Sequence, residues 1–217
     1  MNRKSFLSIL IYLILPLVLY TALFWPFDQQ PGRSLLLQTK DAITGIIIVI
    51  VQLGITIFTY KKLNGFTLAQ AGLFSFETRT LLQIASGLVM IAGIFILGNI
   101  AFSLIYGIGN TPQSIQIQLD MPIWLLAVMM LGVGYCEEFF FRVYIPLSME
   151  VYIGRKAAVL ISAVLFAAGH LYEGLPAAIL IFFLGLGFQF IYYKYRNIHA
   201  NAVIHALFNV ISVLLQA

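Results

Sequence analysis

Seven apolar runs separated by short connectors fill most of the chain, at roughly 5–25, 41–60, 80–105, 122–148, 156–172, 175–194 and 198–216. Each approaches the ~20 residues that an α-helix needs to cross a hydrocarbon core of about 30 Å. A backbone inside lipid finds no water to bond, so runs of this length must close their own hydrogen bonds as helices. Charged residues make up only 9% of the 217 positions and hydrophobic ones 61%, against roughly 25% charged in ordinary soluble domains. The expected fold is therefore all-α, a polytopic transmembrane helical bundle of about seven spans forming one membrane domain over 1–217. Membrane lipid is its first partner. The net charge of +4 is no nucleic-acid signal, because the basic residues sit in small groups between apolar runs.

The connectors 26–40 and 106–121 are rich in Pro, Gly, Gln and Asn and read as loops. A short amphipathic piece, GLFSFETR, lies within 64–80 and suits the membrane interface. The first run begins after Arg3 and Lys4, as a secretory signal would, but it is long for one and no small-x-small cleavage site precedes Trp25 and Pro26. It reads as a retained span bent at Pro16. With the N-terminus inside, nine Lys and Arg fall on the inner side and two, Arg33 and Lys40, on the outer. That bias predicts an N-in, C-out arrangement. The single cysteine, Cys136, excludes an intrachain disulfide. A thiol in such apolar surroundings, with no cation to activate it, reads as packing and not as a nucleophile.

Against this background a few polar side chains stand out. The stretch GVGYCEEFFFR sets Glu137, Glu138 and Arg142 inside the fourth run, although each charge deep in hydrocarbon costs about 2.5–3.5 kcal/mol or more on insertion scales. Glu138 and Arg142 are four apart, in the order that suits an ion pair on one helical face. Glu137 is turned by roughly 100° from Glu138 and needs another purpose. The fifth run carries His170 four after Phe166, and the seventh carries His205 four before Asn209. At ~1.5 Å per residue, Glu137 lies about 24 Å below the outer start of its span and His205 about 10 Å above the inner start of its own. The two depths agree. His170, about 22 Å from Arg155 by the same rise, does not match unless its helix begins outside the membrane, the preferred reading, or tilts steeply; otherwise it lies off the site. His199, at a helix mouth, reads as structural, and Phe139, Phe140, Phe141 and Phe166 read as packing.

The order Glu137-Glu138-x-x-x-Arg142, Phe166-x-x-x-His170 and His205-x-x-x-Asn209, each motif on an expected membrane helix, resembles the CAAX-protease and bacteriocin-processing family. These are the abortive-infection-like intramembrane endopeptidases related to the type II CAAX prenyl proteases. The resemblance covers about 120–212, and residues 1–119 carry no residue assignable to the site. It implies hydrolysis of a peptide bond in a membrane-associated peptide or protein substrate, with roles in peptide maturation or bacteriocin immunity, at a bacterial cell membrane. It also implies Glu137 as the base that activates water, His170 helping to hold that water, His205 and Asn209 lining an oxyanion hole, and Glu138 with Arg142 in support. No cofactor is required in this reading. A divalent metal such as zinc, held by Glu137, His170 and His205, is the other chemistry that the same side chains permit. A non-catalytic immunity or scaffold protein and a transporter or proton relay are the competing functions. The transporter lacks its usual sign, an inverted repeat with broken paired helices.

Overall fold

The structure is a computed structural model that describes residues 34–62, 65–73, 77–106 and 116–217. The span expected at 5–25 and the bend at Pro16 lie outside the described residues. The helices are α1 (Thr39–Lys62), α2 (Arg79–Tyr106), α3 (Ile123–Glu138), α4 (Ile145–Ile153), α5 (Arg155–Ala168), α6 (Leu175–Tyr195) and α7 (Ile198–Leu214). A π-helical segment, Phe139–Tyr144, joins α3 to α4, so that Ile123–Ile153 is one continuous rod. The fold is an all-α bundle, as expected.

Among the described residues, four helices are long and apolar enough to cross a membrane: Thr39–Lys62, Arg79–Ile105, Ile123–Ile153 and Leu175–Tyr195. α7 is a shorter apolar helix of 17 residues. The run expected as a fifth span is α-helical only over α5, 14 residues, or about 21 Å at 1.5 Å per residue, with a 3-10 turn at Leu171–Glu173. The fourth run exceeds its expected end, continuing past 148 to Ile153. Gly154, at φ 78°, then turns the chain into α5 through a backbone conformation that favours glycine.

Two expected loops hold strands. β1 (Ser34–Gln38) and β2 (Gln116–Asp120) pair in parallel, with Leu36 opposite Gln118 and Gln38 opposite Asp120. The alternation Gln-Ile-Gln-Leu-Asp is a strand signal, hidden by a polar composition that suggested a loop. Each strand leads into a helix, β1 into α1 and β2 into α3, and these helices pack together. Gly45 lies against Met129, and Gly132 against Val49. Of the amphipathic piece GLFSFETR, Gly72 and Leu73 close a turn segment over 68–73 and Arg79 opens α2, while 74–76 lie outside the described residues.

The most intimate packing joins α3 to α7. A Cβ at Gly134 would lie 2.6 Å from the Ala202 carbonyl oxygen, so only glycine lets the two backbones come this close. Small residues bring membrane helices together where no hydrophobic drive separates lipid from protein. α7 is anchored at its start by Asn197, whose side chain accepts from the backbone N–H groups of His199 and Ala200. The same amide donates to Thr80 Oγ1 at 3.0 Å and Gln83 Oε1 at 2.8 Å, which gives the polar Gln83 of α2 its purpose.

Candidate active site

Three turns of α7 and the end of α3 bring the expected carboxylates and imidazole together. Glu138 and Arg142 are both fully buried, with Arg142 Nε 3.1 Å from Glu138 Oε2. The expected ion pair is present, but Glu138 does more than serve Arg142. Its Oε2 also accepts from Asn201 Nδ2 at 2.9 Å, and its Oε1 lies 2.8 Å from His205 Nδ1. A carboxylate with two donors on one oxygen is an acceptor toward the ring, so Nδ1 carries the proton. The other ring nitrogen, Nε2, is thereby turned toward Glu137, whose Oε2 is 3.6 Å away. Adjacent carboxylates thus face the two nitrogens of one imidazole.

Burial separates the two acids further. Glu138 has no exposed side-chain surface, whereas Glu137 keeps 15%. A fully enclosed carboxylate must have its lone pairs satisfied by donors, and Glu138 has three side chains to do so. Glu137 faces the His205 edge and keeps part of its side-chain surface uncovered.

Asn201 is a site residue that the motifs did not mark. It is fully buried, and its two amide hydrogens go to Glu138 Oε2 and to the Phe188 carbonyl at 2.8 Å. A signal was available: Asn201, His205 and Asn209 recur at four-residue steps along one face of α7. Asn209 is partly exposed one turn beyond His205 and makes no hydrogen bond among the described residues, which leaves its amide open to a ligand.

The Arg142 guanidinium lies between two rings, 4.4 Å from the Phe166 centroid and 5.7 Å from that of Phe188. Its Nη1 and Nη2 atoms are buried with no hydrogen-bond partner among the described residues, so the aromatic faces supply the attraction that oxygen acceptors would. Phe166, expected to be packing, is therefore also part of the charge network. Phe188 stacks on His205 at 5.0 Å, and Phe166 meets the same imidazole edge-on at 6.1 Å.

His170 reaches this neighbourhood through Phe166. It follows the end of α5, its Nδ1 lies 2.8 Å from the Phe166 carbonyl oxygen, and its ring packs 4.8 Å from the Phe166 ring. The carbonyl can only accept, so Nδ1 carries the proton and the imidazole is held in one tautomer. His199 is structural, as expected. Its Nε2 donates to the Leu73 carbonyl at 2.6 Å, and its Nδ1 lies 2.7 Å from the Tyr135 hydroxyl. Cys136 is buried.

No group of three His, Cys, Asp or Glu side chains able to hold a metal occurs among the described residues. In the set considered for zinc, His205 commits Nδ1 to Glu138 and His170 commits Nδ1 to the Phe166 carbonyl, which leaves Nε2 as the nitrogen that either ring could offer to a ligand.

Residues 119–211 match the family model for Type II CAAX prenyl endopeptidase Rce1-like proteins, the stretch that the three motifs mark out. No curated protein matches the chain, and no solved structure matches it.

Proposed function

We propose, since residues 119–211 match the family model for Type II CAAX prenyl endopeptidase Rce1-like proteins, that the chain is an intramembrane endopeptidase that cleaves a membrane-associated peptide or protein with a glutamate-activated water. The observation that carries this reading is the imidazole of His205 set between Glu138, at 2.8 Å, and Glu137, at 3.6 Å.

In this proposal Glu137, the accessible carboxylate, takes a proton from water as the water oxygen bonds to the scissile carbonyl carbon. The resulting oxyanion needs donors fixed in advance. Asn209 offers its amide, and His205 offers Nε2–H in its doubly protonated form. That form also balances formal charge, since two carboxylates then face one guanidinium and one imidazolium. Collapse of the tetrahedral species breaks the C–N bond, and the proton held by Glu137 goes to the leaving amine. His170 helps hold the water, as the resemblance implies. Glu138, Arg142 and Asn201 orient His205 and touch no reacting atom.

Purified protein incubated with candidate membrane-anchored peptides, lipidated and not, tests the proposal. Cleavage by wild type, resistance to a chelator, and loss in Glu137→Ala and His205→Ala variants that still insert into membranes are the expected results. A Glu137→Ala protein with full activity contradicts the mechanism. A phenotype that survives Glu137→Gln but not disrupted packing points to a scaffold.

A further inference from the structure

The π-helical segment Phe139–Tyr144 has a cause and two restraints, all outside the motifs. Its cause is Pro146 at the start of α4. In a regular α-helix the ring of Pro146 would strike the carbonyl of Arg142, four residues earlier, and no N–H would be present to bond it. Widening the turn relieves the clash, and the Ile145 N–H bonds back five residues to Phe140 O, the π pattern. Pro146 has no N–H for the Phe141 or Arg142 carbonyl, and a buried carbonyl in lipid must find a donor elsewhere.

Both carbonyls are met by side chains from other helices. Ser162 of α5, fully buried, donates its hydroxyl to Phe141 O. Gln189 of α6, 2% exposed, donates Nε2 to Arg142 O at 3.1 Å. Gln189 is the polar residue of an otherwise apolar run, GLGFQFIYY, and its Oε1 is buried without a partner among the described residues. An amide placed at such cost for one bond to the backbone of Arg142 is spent on holding that backbone. Arg142 must in turn present Nε to Glu138 and its face to Phe166.

We propose that Ser162 and Gln189 are positioning residues for the reaction. They clamp the π turn that Pro146 opens, and so set Arg142 against Glu138 and, through Glu138, His205 toward Glu137. The kinetic part of the test rests on the endopeptidase reading, whereas the spectroscopic part does not.

The test uses the full chain in detergent or nanodiscs, with ¹⁵N-labelled histidine, as wild type, Gln189→Met, Ser162→Ala and the double variant. Gln189→Met keeps length and packing while removing the donor. The expected result is a change in the His205 ring-nitrogen resonances of the variants while those of His199 stay fixed. In cleavage assays kcat falls by about 10-fold for a single variant and toward 10² for the double, as for a misplacement near 1 Å, with KM unchanged. If the double variant does not insert, Gln189→Met alone decides. Folded Gln189→Met protein with wild-type His205 resonances overturns the proposal. Wild type that cleaves nothing refutes the endopeptidase reading, and the resonances still judge the clamp.

Discussion

His205 Nδ1 meets Glu138 Oε1 at 2.8 Å across 67 residues of sequence, joining the end of α3 to the middle of α7. The contact fixes the tautomer of the ring and its direction, and it gives Glu138 a role that Glu137 cannot share. Adjacent in sequence, the two acids answer to different physics: one is enclosed by donors, the other keeps part of its side chain exposed.

Replacing each acid by its amide separates these roles. Glu137→Gln is expected to leave thermal unfolding close to wild type while abolishing cleavage. Glu138→Gln leaves Arg142 buried without its counter-charge, a loss of about 3–5 kcal/mol for a broken buried pair. Melting curves of the two variants in one detergent check the contrast.

Gly134→Ala forces its new methyl to within 2.6 Å of the Ala202 carbonyl oxygen, and a backbone atom cannot swing aside as a flexible side chain can. The helices must part, at a cost of about 1–3 kcal/mol typical of overpacking. Cleavage should fall by about 10² if the site opens by 1 Å. Glycine's small size, not its conformational freedom, is what this position needs.

Asn201→Leu removes donors from Glu138 and from the Phe188 carbonyl. Leaving buried acceptors unmet costs about 1–3 kcal/mol. Denaturant unfolding should register that loss, and the His205 resonances should shift because its carboxylate partner is less firmly held.

Asn209→Ala separates binding chemistry from folding in the opposite way. Asn209 makes no hydrogen bond among the described residues, so stability should stay within about 0.5 kcal/mol, the range of substitutions away from structural features. Loss of one oxyanion donor should lower kcat by about 10²–10³. A variant with normal kcat removes Asn209 from the mechanism.

Much of this arrangement was legible because periodicity reports on one helix at a time. Apolar runs marked the helices, and four-residue spacing paired Glu138 with Arg142 before any coordinates. Contacts between helices depend on register, which spacing within one helix does not encode. The reach of Glu138 to Asn201 and His205 was therefore hidden, as was the seating of Arg142 between Phe166 and Phe188. Pro146, four residues after Arg142, did carry a readable warning that the helix must distort there. The strand at 116–120 was missed for a different reason: its alternation spans five residues within a stretch whose composition resembles a loop.

The claim that Glu137 activates water while Glu138 positions His205 is tested most directly by proteolysis with purified Glu137→Gln protein. The substrate is one that wild type cleaves, and the variant is first shown to be inserted and to melt as wild type does. The account predicts cleavage at least about 10³-fold slower, within the 10²–10⁴ that a general base contributes, with chelator leaving the wild-type rate unchanged. Cleavage by Glu137→Gln at the wild-type rate would contradict it.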